Sequence, residues 1–104
     1  MFSLDDLAEI IDRRAGASAD ASYTKSLLAR GAAYCARKFG EEAIELTVAG
    51  AAEGEDAVRA EAADVLYHLL VLLRARGVPL RSVLGELEGR TRRSGHEEKA
   101  ARQA

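Results

Sequence analysis

The sequence predicts an all-α fold, and three observations carry that prediction. Alanine, leucine, glutamate and arginine dominate the 104-residue chain, and all four are strong helix formers. There is a single proline, Pro79. Alternating apolar and polar runs of strand length are missing. A chain that is 48% hydrophobic and 31% charged is globular rather than disordered. Its length fits one domain spanning residues 1–104, with a core modest enough that a second copy would help to bury it.

The elements follow in order. Ser3 is placed to cap a first helix, with Asp5 and Asp6 in its opening turn and Leu4, Leu7, Ile10 and Ile11 in helical period. That helix runs to about Arg14. Residues 15–22 are small and polar and read as a loop. A second, long helix is predicted from about Thr24 to Ala49, with Gly50 and the EGED stretch at 53–56 marking a turn. A third covers about Asp56 to Arg76 and stops at Gly77, a C′ position. Pro79 sits where an N1 proline opens a fourth helix to about Arg90. The polar tail, 94–104, is expected to be mobile in the free protein.

Several functions are excluded early. A formal net charge of −2 leaves no broad basic surface for nucleic acid, although basic residues cluster near the C-terminus. Cys35 is the one cysteine, so neither an internal disulfide nor a thiolate metal site can form. The start, MFSLDDLAEI, lacks the basic and apolar regions of a signal peptide. The longest apolar run, Val65 to Leu73, contains His68 and is far too short to span a bilayer. A reducing cytoplasm is the simplest home.

Two of the predicted helices carry acids in an unusual pattern. At about 100° per residue, Leu28, Ala32, Phe39, Ala43 and Leu46 share one face of the second, with Lys38, Glu41, Glu42 and Glu45 nearly opposite. On the third, Val58, Ala62, Leu66, Leu69, Leu70 and Leu73 share a face, with Glu61, Asp64 and His68 opposite. The acidic stripes continue into Val48, Ala49, Val71 and Leu72, so the acids are expected within a second packed face. An antiparallel hairpin brings Glu41-Glu42-x-x-Glu45 and Glu61-x-x-Asp64 together. One like-charge pair at ~4 Å costs about 1 kcal/mol in water and about 4 kcal/mol at an effective dielectric near 20. Several such pairs rival a small domain's whole stability, roughly 5–15 kcal/mol. Either the carboxyls hold protons or a cation sits among them. All-oxygen ligands favour Mg²⁺ or Mn²⁺, and Mg²⁺ shares its shell with substrate phosphates. The plainer alternative is a solvated acidic face paired with nearby basic residues.

At this point the sequence resembles a known family. E-x-x-E followed by E-x-x-D is the signature of the MazG-like all-α nucleotide pyrophosphohydrolases. More closely, Lys38-Phe39-Gly40-Glu41-Glu42-Ala43-Ile44-Glu45 and Glu61-Ala62-Ala63-Asp64-Val65-Leu66-Tyr67-His68 resemble blocks of the phosphoribosyl-ATP pyrophosphohydrolase family. So do Ser22-Tyr23-Thr24, the spacing of Leu27 and Gly31, and Ser94-Gly95-His96-Glu97-Glu98-Lys99 through Arg102. The resemblance implies a MazG-like bundle of four to five helices completed by homodimerisation or a higher oligomer. It implies hydrolysis of 1-(5-phosphoribosyl)-ATP to phosphoribosyl-AMP and pyrophosphate, the second step of histidine biosynthesis. A chain this short would be the stand-alone form, without the cyclohydrolase domain of many relatives.

The resemblance and the spacing together suggest roles. Glu42, Glu45, Glu61 and Asp64 are the expected metal ligands, and Glu41, Glu42 and Glu45 the expected catalytic carboxylates. Glu41 completes a second ion or orients the attacking water, and which glutamate takes the proton stays open. Lys38 is either a phosphate contact or a charge balance for Glu42 and Glu45. Tyr23 and Thr24, at the mouth of the second predicted helix, are candidate substrate contacts; otherwise Ser22 or Thr24 is a cap. Lys99 and Arg102, with Arg92 and Arg93, close over polyphosphate or form a solvated tail. His68 reads as a buried or ligand-supporting histidine, Tyr34 and Tyr67 as packing groups, and Cys35 as inert core. Two alternatives remain: a house-cleaning (d)NTP pyrophosphatase with the same chemistry, or a non-catalytic acidic helical dimer.

Overall fold

Helix α1 spans Leu4–Ala15 and begins where Ser3 predicts. The Ser3 hydroxyl accepts from the Asp6 N–H at 3.1 Å, and the Asp6 carboxylate accepts from the Ser3 N–H at 3.0 Å. This reciprocal capping box, with Arg13 and Arg14 in the last turn, complements the helix dipole at both ends. The structure, a computed structural model, describes residues 1–19 and 22–92 together with Gly95, Lys99 and Arg102. The tail positions Arg93, Ser94, His96, Glu97 and Glu98 lie outside the described residues. Among the described residues every regular element is a helix, with no strand.

The long helix predicted from Thr24 to Ala49 is two helices, α2 (Tyr23–Ala29) and α3 (Ala32–Ala52). Gly31 breaks it. Its φ of 94° and ψ of 167° lie in a region that side-chain-bearing residues avoid. The Arg30 N–H closes α2 on the Leu27 carbonyl and the Gly31 N–H on the Leu28 carbonyl, and the Gly31 carbonyl restarts the ladder by accepting from the Cys35 N–H. Apart from Gly31 itself and its two chain neighbours, no atom of the described residues lies within 4 Å of where a Cβ at Gly31 would stand, so a side chain there is opposed by backbone conformation, not crowding. Gly31→Ala is expected to cost about 1–3 kcal/mol. A urea melt would show it, and an unchanged midpoint would contradict the break.

α4 (Glu55–Arg76) returns antiparallel to α3 across a turn at Glu53 and Gly54, and the pair forms the most extensive packing in the chain. Gly77 ends α4 as predicted. At φ 69° it is left-handed, its N–H bonding Arg74 and the Val78 N–H bonding Leu73 at 2.9 Å, a Schellman closure. α5 (Leu80–Thr91) follows, with Pro79 as its N-cap residue, one place before the predicted N1. The core is Ile11, Leu27, Cys35, Leu70 and Val71, walled by α1, α2, α3 and α4. An Arg74–Asp12 ion pair at 3.0 Å ties α4 to α1 outside it.

The wheel faces are corrected by the packing. On α3 the buried line is Cys35 and Ala49, and Glu42 stands midway between them at heptad spacing. On α4 the acids Glu61 and Asp64 precede buried His68 and Val71 by the same interval. The acidic stripe therefore continues the buried seam, as expected, through Ala49 and Val71. Val48, expected in that seam, is 53% exposed instead. The face expected to be the main apolar one is partly open: Leu66 is 42% exposed. Ile44, Leu84 and Leu87 are also exposed, and α5 buries no residue. Among the described residues, no helix is long and apolar enough to cross a membrane.

Candidate active site

The hairpin of α3 and α4 brings three carboxylates from two helices to one point. Glu42, Glu45 and Glu61 each offer an oxygen, and these oxygens lie within 4.8 Å of one another. Glu42 and Glu45 share a face of α3 because three residues separate them, and Glu61 arrives from α4. Asp64, one turn further along α4, is exposed at the rim and close enough to act on both Glu42 and Glu61.

The environment pushes two of these groups toward holding a proton. The Glu42 carboxyl is raised above the ordinary glutamate range, first by its hydrogen bond with Glu45, then by burial and the charges of Glu45 and Asp64. Lys38, on the same stripe of α3, partly opposes this. The Glu61 carboxyl is raised mainly by desolvation, with Glu45 and Asp64 adding repulsion. Its Oε2 is buried without a hydrogen-bond partner. A buried carboxylate oxygen with no donor, facing two further carboxylates, is what an oxygen-ligated divalent cation would satisfy. The residues present fit such an ion.

Not every expected residue joins the group. Glu41 is exposed and pairs with Arg37 at 3.7 Å, so the structure leaves it beside the cluster. His68 is buried, its Nε2 3.9 Å from Glu42 Oε1, beyond hydrogen-bond reach. Desolvation, and then Lys38, hold its pKa below the usual histidine value, so it lines the site as a neutral imidazole. Thr24 is 1% exposed, and its hydroxyl lies 2.6 Å from the Tyr67 hydroxyl, so it faces inward from the first turn of α2. The N-cap of α2 is Ser22, whose hydroxyl accepts from the Lys25 N–H. Tyr23 is exposed, stacked on Tyr67 and edge-on to His68. Lys99 and Arg102 are helical and exposed.

Cys35 donates its thiol to the Leu27 carbonyl at 3.4 Å, and burial pushes it up, as an inert core cysteine should be. Tyr67 is more than the packing group it reads as in sequence. The signal was its hydroxyl inside the apolar run that follows Asp64, since such a group finds a partner when buried.

Comparison with known proteins gives the family. The family described as Phosphoribosyl-ATP pyrophosphohydrolase matches residues 4–91. The chain is 55% identical over 101 residues to a phosphoribosyl-ATP pyrophosphatase of Azorhizobium caulinodans, covering 97% of this chain and 93% of that protein. It is 52% identical to phosphoribosyl-ATP pyrophosphatase 1 of Bradyrhizobium diazoefficiens, covering 97% and 95%. The corresponding protein of Agrobacterium fabrum is 50% identical, with 97% and 94% covered. The match runs through α1 to α5 and includes both acid-bearing helices, so the chain belongs to the phosphoribosyl-ATP pyrophosphohydrolase family.

Proposed function

We propose that this protein hydrolyses phosphoribosyl-ATP between its α- and β-phosphates, releasing phosphoribosyl-AMP and pyrophosphate in histidine biosynthesis. The observation that carries the reading is the convergence of Glu42, Glu45 and Glu61, with one buried oxygen lacking any donor. Those three residues, with Asp64 at the rim, would hold Mg²⁺, and Mn²⁺ would substitute. When bound, the ion supplies Lewis acidity at phosphate oxygens and lowers the pKa of water. The cluster's carboxylates supply the base that takes the proton of the attacking water. Glu41 orients that water from the edge of the group. Lys38, close enough to influence both Glu42 and His68, would meet the developing phosphate charge beside the cluster. Lys99 and Arg102 contact the polyphosphate from the far end of the chain. The neutral, buried His68 keeps solvent from the inner side of Glu42.

The exposed apolar residues Ile44, Val48, Leu66, Leu84 and Leu87 support a homodimer, since a lone chain leaves them in water. Sedimentation at micromolar concentration should give twice the mass of one chain, with Leu66→Asp shifting it toward monomer. A monomeric wild-type protein would remove this part of the reading.

The alternative substrate class is non-standard dNTPs. Measuring kcat/KM for phosphoribosyl-ATP against a panel of dNTPs tests the choice. Preference for phosphoribosyl-ATP is expected, and preference for a dNTP would replace the substrate while keeping the site.

A further inference from the structure

We propose that Tyr67 and Thr24 are positioning residues whose hydroxyl–hydroxyl bond holds Tyr23 as a stacking platform for the purine of the substrate. The inference rests on the nucleotide-hydrolase reading above and assigns the base-binding end of that same site.

The bond joins the first turn of α2 to the middle of α4 at 2.6 Å, across 43 residues of sequence. Thr24 is buried and Tyr67 part-buried, so each hydroxyl satisfies the other where water is largely excluded. Tyr23 is the next residue along. Its ring lies 6.4 Å from that of Tyr67 with 17° between the planes, and it meets His68 edge-on at 6.4 Å. Tyr67 and His68 are themselves edge-to-face at 5.0 Å. His68 in turn stands 3.9 Å from Glu42. A continuous aromatic wall therefore leads from the carboxylates to a ring that is 59% exposed.

An exposed tyrosine on a seven-residue helix should sample several rotamers. Two features restrain this one: stacking on Tyr67, and the tether of its neighbour's hydroxyl. The Arg30–Gly31 break frees α2 from the line of α3 and lets Thr24 reach α4. An ordered aromatic face beside a phosphate-cleaving centre suits a purine, because stacking needs only a π-face and tolerates the ribose linkage.

The platform is tested by binding, independently of turnover. Calorimetric titration with AMP is made on wild type and on the Tyr67→Phe, Thr24→Val, Thr24→Ser and Tyr23→Ala variants, with inorganic pyrophosphate as the base-free probe. Tyr67→Phe keeps the ring and Thr24→Val the shape, so both preserve packing, and circular dichroism checks the fold. AMP affinity should fall about tenfold in Tyr67→Phe, Thr24→Val and Tyr23→Ala, the scale of one lost base–aromatic stack. Pyrophosphate affinity should not change, and Thr24→Ser should rescue. The Tyr67→Phe/Thr24→Val double variant should bind AMP no worse than either single change, because both remove one bond. In turnover the same variants should raise KM far more than they lower kcat. Unchanged AMP affinity in Tyr67→Phe, or a parallel loss of pyrophosphate affinity, overturns the proposal. Absent pyrophosphate release by the wild type overturns only the functional reading, and the AMP titration then still decides the platform.

Discussion

Glu45→Gln is expected to lower pyrophosphate release by about 10²–10⁴-fold if Glu45 ligates the metal as proposed, since a metal ligand's share of transition-state stabilisation is several kcal/mol at 1.36 kcal/mol per tenfold. Glu45 links the other two acids of the cluster. Its hydrogen bond is the main influence on the Glu42 carboxyl, and its charge is the largest of those acting on Glu61. Glutamine keeps the shape and one acceptor but removes the charge that a cation needs. Because Glu45 is exposed on a helix whose buried residues are Cys35 and Ala49, helical content should be preserved. Glu41→Gln is the internal comparison. That side chain pairs with Arg37 beside the cluster, so its loss should be smaller. Initial rates with excess Mg²⁺ rank the two, and a Glu45→Gln enzyme within tenfold of wild type would remove Glu45 from the site.

The second large effect is on stability. Glu42 and Glu61 are both raised in the fold above the ordinary value of 4.5. A raised carboxyl contributes stability that is fully present below 4.5 and lost as pH rises through its folded value. Chelated protein should therefore gain stability from these two groups on acidification toward pH 4.5, and Mg²⁺ should replace that gain near neutrality. At a Mg²⁺ concentration ~100-fold above its Kd the increase is about 2.7 kcal/mol. Glu42→Gln should do two things together. With chelator at pH 7 it should be more stable than wild type by about 1 kcal/mol, the scale of one relieved like-charge contact, or roughly 4–8 °C in Tm. It should also lose most of the stabilisation by Mg²⁺. Thermal melts with EDTA and with Mg²⁺ measure both, and a Glu42→Gln protein less stable than wild type in EDTA would show that the carboxylates are not in conflict.

Most of the helical plan was legible in the sequence because local chemistry decides it. Ser3 with Asp6, Gly77 before Pro79, and the Glu53–Gly54 turn mark element ends by capping or backbone freedom alone. The break at Gly31 was not legible. A glycine among alanines and leucines fits a helix at modest cost, and what rewards bending the chain there, the burial of Leu27 in the core and the Thr24–Tyr67 contact, involves residues far away in sequence. The acidic pairing was legible from spacing, since three-residue steps put Glu42 with Glu45 and a hairpin faces them toward Glu61. Their depth was not. The wheel ranks faces by apolar content, whereas burial on α3 and α4 is set by what packs against them. Glu42 consequently lies in line with Cys35 and Ala49, and Leu66 is left in the open. The substrate was legible only through resemblance of the flanking blocks, because carboxylate geometry points to phosphate chemistry without choosing a nucleotide.

The most direct test follows both products of one incubation of purified protein with phosphoribosyl-ATP. With Mg²⁺, phosphoribosyl-AMP and pyrophosphate should form in equal amounts, and neither should form in excess EDTA. Release of orthophosphate in place of pyrophosphate, or product formation undiminished by EDTA, would contradict a cation-dependent cleavage at the Glu42–Glu45–Glu61 cluster.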